Sequence, residues 1–225
     1  MYRKILILFV GMISLGYGSN GWKAYEEAAL MISHQSPLVE KLFVIAQKDK
    51  NITAKHSTFD NAVRRNADKM SYSTLYDYAI DDKSEPSTVV SVVFMIIMEG
   101  LGYMRIEAWE SLSNEEEILF SVNRLLKKNK SKLLSKNEEE EIHQKMMYYF
   151  KGNYDIKKQI DATNKMIEMI EMFVKKRALQ LLWFQNNSDS YGMFIVEPKI
   201  YKALHNKVLD DSRRFSIPYF TMEDI

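Results

Sequence analysis

Apolar positions recur every three or four residues along much of this chain, and that rhythm predicts helices. In "WKAYEEAALMI", Trp22, Tyr25, Ala28, Ala29 and Ile32 keep the period, so a helix is expected from Trp22 toward Lys48. Pro37 divides it, with Ser36 placed to cap and Pro37 at the first position of "PLVEKLFVIAQK". Asp49 to Ser57 reads as loop, and Thr58 to Ile80 as two short helices, "DNAVRRNADKM" and "STLYDYAI". Ser84, ahead of Glu85-Pro86, marks another helix start.

Val89 to Met98 is apolar on every side, the mark of a central, buried helix. The stripe Leu101, Met104, Ala108 carries that helix on to about Glu110. A buried strand is the competing reading for Val89 to Met98, because valine and isoleucine are frequent there. Ser113-Asn114-Glu115-Glu116 and Ser135-Lys136-Asn137-Glu138 each have the capping-box spacing of hydroxyl and carboxylate. The first of these helices should end at Lys127 and Lys128, where cations suit the helix dipole, and the second at Phe150. Asp155 to Gln185 is expected as one long helix, its stripe running through Ile156, Ile160, Ile167, Ile170, Val174, Leu181 and Phe184. Thr163 and Arg177 interrupt that stripe, which favours bundle packing over an extended coiled coil. After the turn cluster "NNSDSYG", "MFIV" reads as a short strand or extended stretch, and Pro198 to Asp210 as a last helix. The expected architecture is all-α: a bundle of about six to eight helices in residues 19–211, followed by an aromatic tail over 212–225.

The first residues follow a different pattern. Arg3 and Lys4 precede an apolar run from Ile5 to Leu15, and Gly16-Tyr17-Gly18 follows. A charged start, a short apolar core and a small-x-small site define a secretory signal peptide over residues 1–18, with cleavage before Ser19 or before Trp22. An uncleaved N-terminal anchor is the rival, but Ile5 to Trp22 holds four glycines and an asparagine and falls short of the roughly 20 apolar residues of a span. A buried first helix of the fold is the third possibility. The chain has no cysteine, which suits a bacterial exported protein better than a disulfide-stapled eukaryotic one. Three Asn-x-Ser/Thr triplets, at Asn51, Asn129 and Asn186, are what chance supplies in a chain this rich in Asn, Lys and Ser.

Charge and composition narrow the chemistry. The 31 basic and 30 acidic side chains leave a net charge of +1, so the global footprint of a nucleic-acid binder is missing. Without cysteine there is no thiol nucleophile and no Cys-based zinc site. No Gly-x-Ser-x-Gly elbow, His-Glu-x-x-His, phosphate loop or dinucleotide fingerprint occurs, so no cofactor is implied. His34, His56, His143 and His205 lie in separate segments, and Glu140-Glu141-Ile142-His143 supplies a single Glu-x-x-His step where a di-iron bundle needs two; no metal site is expected.

Glu99 is the one candidate catalytic residue. On a continuous helix, Val92, Met95, Ile96, Tyr103 and Ile106 would surround it, and desolvation would prepare its carboxyl as a general acid for glycoside cleavage. The plainer reading is a buried glutamate paired with a base such as Arg64 or Arg105, or one that reaches solvent because Gly100 ends the helix. Nothing marks Glu107 or Glu110 as its catalytic partner. "RLLKKNKSKLLSK" is basic enough to suit anionic lipid or nucleic acid, but it holds no aromatic for base stacking and "NEEEE" follows directly, which favours a solvated helix end and loop partly neutralised by those acids. The 14 methionines read as bundle core. Phe215, Ile217, Pro218, Tyr219 and Phe220 form an aromatic knot, with Phe215, Tyr219 and Phe220 the candidate docking residues if the tail reaches a partner and does not fold back. The expectation is an exported, periplasmic, non-enzymatic protein that binds another protein, immunity- or inhibitor-like or an accessory subunit of an envelope complex. It would meet a membrane only through an uncleaved N-terminal segment. The alternatives are a helical cell-wall glycoside hydrolase using Glu99 and a membrane-anchored envelope component.

Overall fold

The computed structural model describes residues 21–52, 56–67, 86–108, 114–150, 156–185, 190–210 and 213–216. The expected signal peptide, the "STLYDYAI" helix, the Ser84 start and the residues from 217 onward lie outside them. The described residues are mostly helical, with eight helices and four strands, and they group into two compact units. Residues up to Leu101, with Leu209 and Asp210, form the first; residues from Gly102 to Val208, with 213–216, form the second.

The first unit begins with α1, residues 21–32, and α2, Pro37–Lys48, divided where the proline spacing predicts. α1 ends in a Schellman turn: Gln35 N–H donates to Leu30 O at 2.7 Å while His34 takes the left-handed φ of 55°. α3 is Thr58–Asn66, and α4 is Pro86–Gly100. Tyr25, Phe43, Phe59 and Phe94 are nearly sealed from solvent, and the Tyr25 and Phe94 rings meet edge-on at 5.5 Å. The chain returns to close this unit, the Tyr25 hydroxyl donating to Asp210 Oδ2 at 2.6 Å. α4 is buried on nearly all sides, as an all-apolar helix should be. It ends at Gly100, where a Cβ would stand 2.9 Å from Val63 Cγ1, so the glycine permits a close approach of α3. The expected continuation to Glu110 does not form. Gly102 turns the chain at φ 75°, and Arg105–Ala108 is a strand, β1.

The second unit carries a four-stranded antiparallel sheet, the main departure from an all-α bundle. β2 is Gln180–Gln185, β3 Ser190–Val196 and β4 Arg214–Ser216, in the order β1-β3-β2-β4. The "MFIV" stretch is thus the strand reading realised, inside β3. Leu181 pairs Ile195 and Trp183 pairs Met193, and these four belong to one apolar cluster with the helices α5 (Glu115–Lys128), α6 (Lys136–Phe150) and α7 (Ile156–Lys175). On the opposite face Leu182 pairs Phe194 and Phe184 pairs Phe215. A strand buried on both faces has no alternation, so "QLLWFQ" passes for the end of a helix. α7 therefore stops at Lys175, ten residues short of the expected Gln185. α8 is Pro198–Leu204, shorter than expected because Asn206 takes φ 64° and Val208 bridges Arg214 in antiparallel pairing.

Candidate functional site

The most organised polar site of the first unit is the start of α3, where free amide donors must be satisfied. Ser57 is the N-cap, and its Oγ accepts from Asp60 N–H at 3.0 Å. Asp49, just past α2, reaches the same turn: its Oδ2 accepts from Phe59 N–H at 2.7 Å and its Oδ1 from Asn51 N–H at 3.0 Å. Burial pushes the Asp49 carboxyl up, but the Phe59 and Asn51 amides and the Ser57 hydroxyl together bring it below the ordinary range. Asp60 is fully enclosed; its Oδ2 accepts from His56 N–H at 2.7 Å. Arg64 Nε, one helical turn on, donates to both Asp60 oxygens at 2.8 and 2.9 Å.

This anchoring orients the Arg64 guanidinium, whose side chain is 32% exposed against 0% for Asp60. Beside it lies a cleft of about 480 Å³, lined among the described residues by Thr58, Asn61, Arg64 and Arg65. Asn61 Nδ2 is held by His56 O at 2.7 Å, and Arg65 Nε by Asn61 O at 3.1 Å. Hydroxyl, amide and guanidinium groups suit a carboxylate or phosphate, since paired guanidinium donors match its planar oxygens. Sequence reasoning passed over this site, although Ser57-x-x-Asp60 followed four residues later by Arg64 was there to read. The contribution of Asp49 is tertiary and had no local signal.

The sequence candidates fall elsewhere. Glu99 is 1% exposed within α4 and is not among the residues lining the cleft. Because α4 stops at Gly100, Tyr103 and Ile106 do not share its helix, and Ile106 pairs with Gly192 across the sheet. Phe215 is sealed within its own unit, 5.5 Å from the Phe184 ring and 5.9 Å from that of Phe194. Tyr219 and Phe220 lie outside the described residues. His143 points to solvent and meets Glu115 at 2.9 Å, a pair that raises the imidazole pKa through its hydrogen bond and charge. Among the described residues no three His, Asp or Glu side chains gather as a metal site. None of the helices among them is long and apolar enough to cross a membrane.

A second polar centre was hidden behind an apparent flaw, Arg177 breaking the α7 stripe. Its Nε donates to Lys132 O at 2.8 Å, its Nη1 to Phe173 O at 2.7 Å and its Nη2 to Leu133 O at 2.8 Å. It also grips both Glu138 oxygens, at 3.0 and 2.6 Å. Glu138 at the same time accepts from Ser135 N–H at 2.8 Å and donates its own N–H to Ser135 Oγ at 3.3 Å, the reciprocal capping box that the spacing predicts. The Arg177 bonds first, and the Ser135 bonds after them, hold the Glu138 carboxyl down to about 2 against the effect of burial. Ser113, of the other expected box, lies outside the described residues, and Asn114 stands as the N-cap of α5 without a side-chain cap bond. Compared with known proteins, the chain matches no family model, no curated protein and no solved structure.

Proposed function

We propose that this is an exported, periplasmic protein that works without catalysis, by binding another protein as an immunity- or inhibitor-like factor or as an accessory subunit of an envelope complex. The observation that carries the binding half of this reading is the α3 cleft. Its described lining is made of donors, and the buried Asp60 fixes Arg64 in place before any partner arrives. A prepared guanidinium favours affinity, because less side-chain freedom is lost on binding. The group it suits is a partner's carboxylate. Export rests on the charged start, short apolar run and Gly16-Tyr17-Gly18 of the first residues. The hydrolase reading has less behind it: a general acid must reach substrate, and Glu99 is 1% exposed.

A photo-crosslinking residue placed at Thr58, an exposed lining position, tests the cleft in the native host. The expected result is one discrete protein adduct from the envelope fraction, lost or cut at least tenfold when Arg65→Glu is added. An adduct pattern indifferent to Arg65→Glu, in a protein that still melts normally, refutes the cleft as the binding site. Intact mass of the same fraction tests export: loss of residues 1–18 or 1–21 is expected, and a full-length cytosolic protein overturns it.

A further inference from the structure

We infer that the turn joining α5 to α6 docks on an anionic lipid bilayer, with Leu133 entering the interface and the lysines around it meeting the headgroups. Lys127, Lys130, Lys132 and Lys136 are all exposed, and among the described residues none of them makes an ion pair. Leu133 stands among them with 49% of its surface open. Of the acids that follow, Glu138 is neutralised by Arg177, while Glu139, whose carboxylate accepts from Asn123 Nδ2 at 2.9 Å, keeps its charge along α6. Glu140 bonds Gln144, and Glu141 is exposed one turn further along α6. Lys128 is left out of the patch because its ammonium sits over the Tyr103 ring, 4.1 Å from the centroid.

The backbone of this turn is fixed from several directions. Arg177 holds the Lys132 and Leu133 carbonyls, Leu134 N–H donates to Asn123 Oδ1 at 2.8 Å, and Asn129 Nδ2 reaches Ile195 O at 2.9 Å. Ser131 N–H closes a Schellman turn on Leu126 O at 2.9 Å, which puts Lys130 at φ 54° where glycine is usual. An exposed leucine flanked in sequence by exposed lysines on a turn held this way is suited to the water–lipid boundary, where lysine stems lie along apolar surface and their heads meet phosphate. Single-stranded nucleic acid is less favoured, because its binding sites present aromatic faces for base stacking and Leu133 offers none.

The cysteine-free chain makes the test clean. An environment-sensitive dye on Leu133→Cys is read with phosphatidylcholine vesicles, with and without about one-third phosphatidylglycerol. The expected result is a blue shift with anionic vesicles only, reversed by high salt. The Lys130→Ala/Lys132→Ala pair should weaken unlabelled protein binding about 25-fold, near fivefold per lysine, and Leu133→Ser should weaken it several-fold. A dye that stays water-like while the protein is bound to vesicles overturns the proposal, as does binding unchanged by the lysine pair. Binding to a single-stranded oligonucleotide that loses its lysine dependence nowhere and ignores Leu133→Ser, with no response to anionic vesicles, likewise overturns it and assigns the patch to nucleic acid.

Discussion

Replacing Arg177 with alanine should cost the second unit about 3 kcal/mol. The arginine side chain is 11% exposed and that of Glu138 18%, so the pair lies nearer the buried limit than the surface one. Removing it strands a carboxylate together with the Phe173, Lys132 and Leu133 carbonyls. A carboxyl drawn from its ordinary 4.5 down to about 2 carries up to about 3 kcal/mol by linkage, and its partial exposure together with the Ser135 share, which the variant keeps, trims the part Arg177 supplies to about 2. The lost carbonyl bonds supply the remainder. Because the folded pKa is depressed, this contribution is complete above pH 4.5 and disappears as the pH falls toward 2. Urea unfolding followed by circular dichroism, across that range, should show a wild-type advantage over Arg177→Ala that narrows with acid to the carbonyl share of about 1 kcal/mol. Arg177→Lys should recover only a minor part, since an ammonium cannot bridge the carboxylate and three carbonyls at once. A neutral-pH difference below about 1 kcal/mol, or one that ignores pH, would show that the Arg177–Glu138 pair does not carry this stability.

Three further outcomes are expected of the same fold. Ala178 holds φ 56° at the end of α7, so Ala178→Gly should raise stability by about 0.5–1 kcal/mol; an unchanged or lower melting temperature contradicts this. Phe215→Ala empties a sealed site between two aromatic rings and should cost about 3–5 kcal/mol in urea unfolding, whereas a loss under about 1 would mean that β4 adds little to the sheet. The His143 ring should titrate by NMR above its ordinary 6.5, and Glu115→Gln should return it toward that value. The His143–Glu115 attraction is complete below pH 6.5 and fades as the pH rises through the raised value, so a midpoint insensitive to Glu115→Gln counts against the pair.

Signals carried within a few residues of one another were legible in the chain. Pro37 divides two helices, Ser135 and Glu138 cap each other, and Lys127 and Lys128 close α5. The misread helix ends in the second unit share a cause: Ala178 and Asn206 occupy left-handed positions where glycine would have announced a stop. Without that mark after Lys175, the spacing of Leu181 and Phe184 imitates a helix although they lie on opposite faces of β2. β1 was invisible for another reason, since a four-residue strand is defined by its pairing with β3 far along the chain. The candidate site divides in the same way. Asp60 and Arg64 are a helical-spacing pair that sequence displays, while Asp49, His56 and the cleft they support come from folding.

The return of the chain to its own beginning sets a timetable for synthesis. Arg105 cannot pair until Met193 exists, a delay on the order of ten seconds at ribosomal speed, and Tyr25 waits longer still for Asp210. Throughout that interval the apolar circumference of α4 has been made while the residues that complete its unit have not. A nascent chain in this condition exposes apolar surface of the kind that makes incomplete chains prone to aggregate, and the exposure ends only when the last tenth of the sequence has been added.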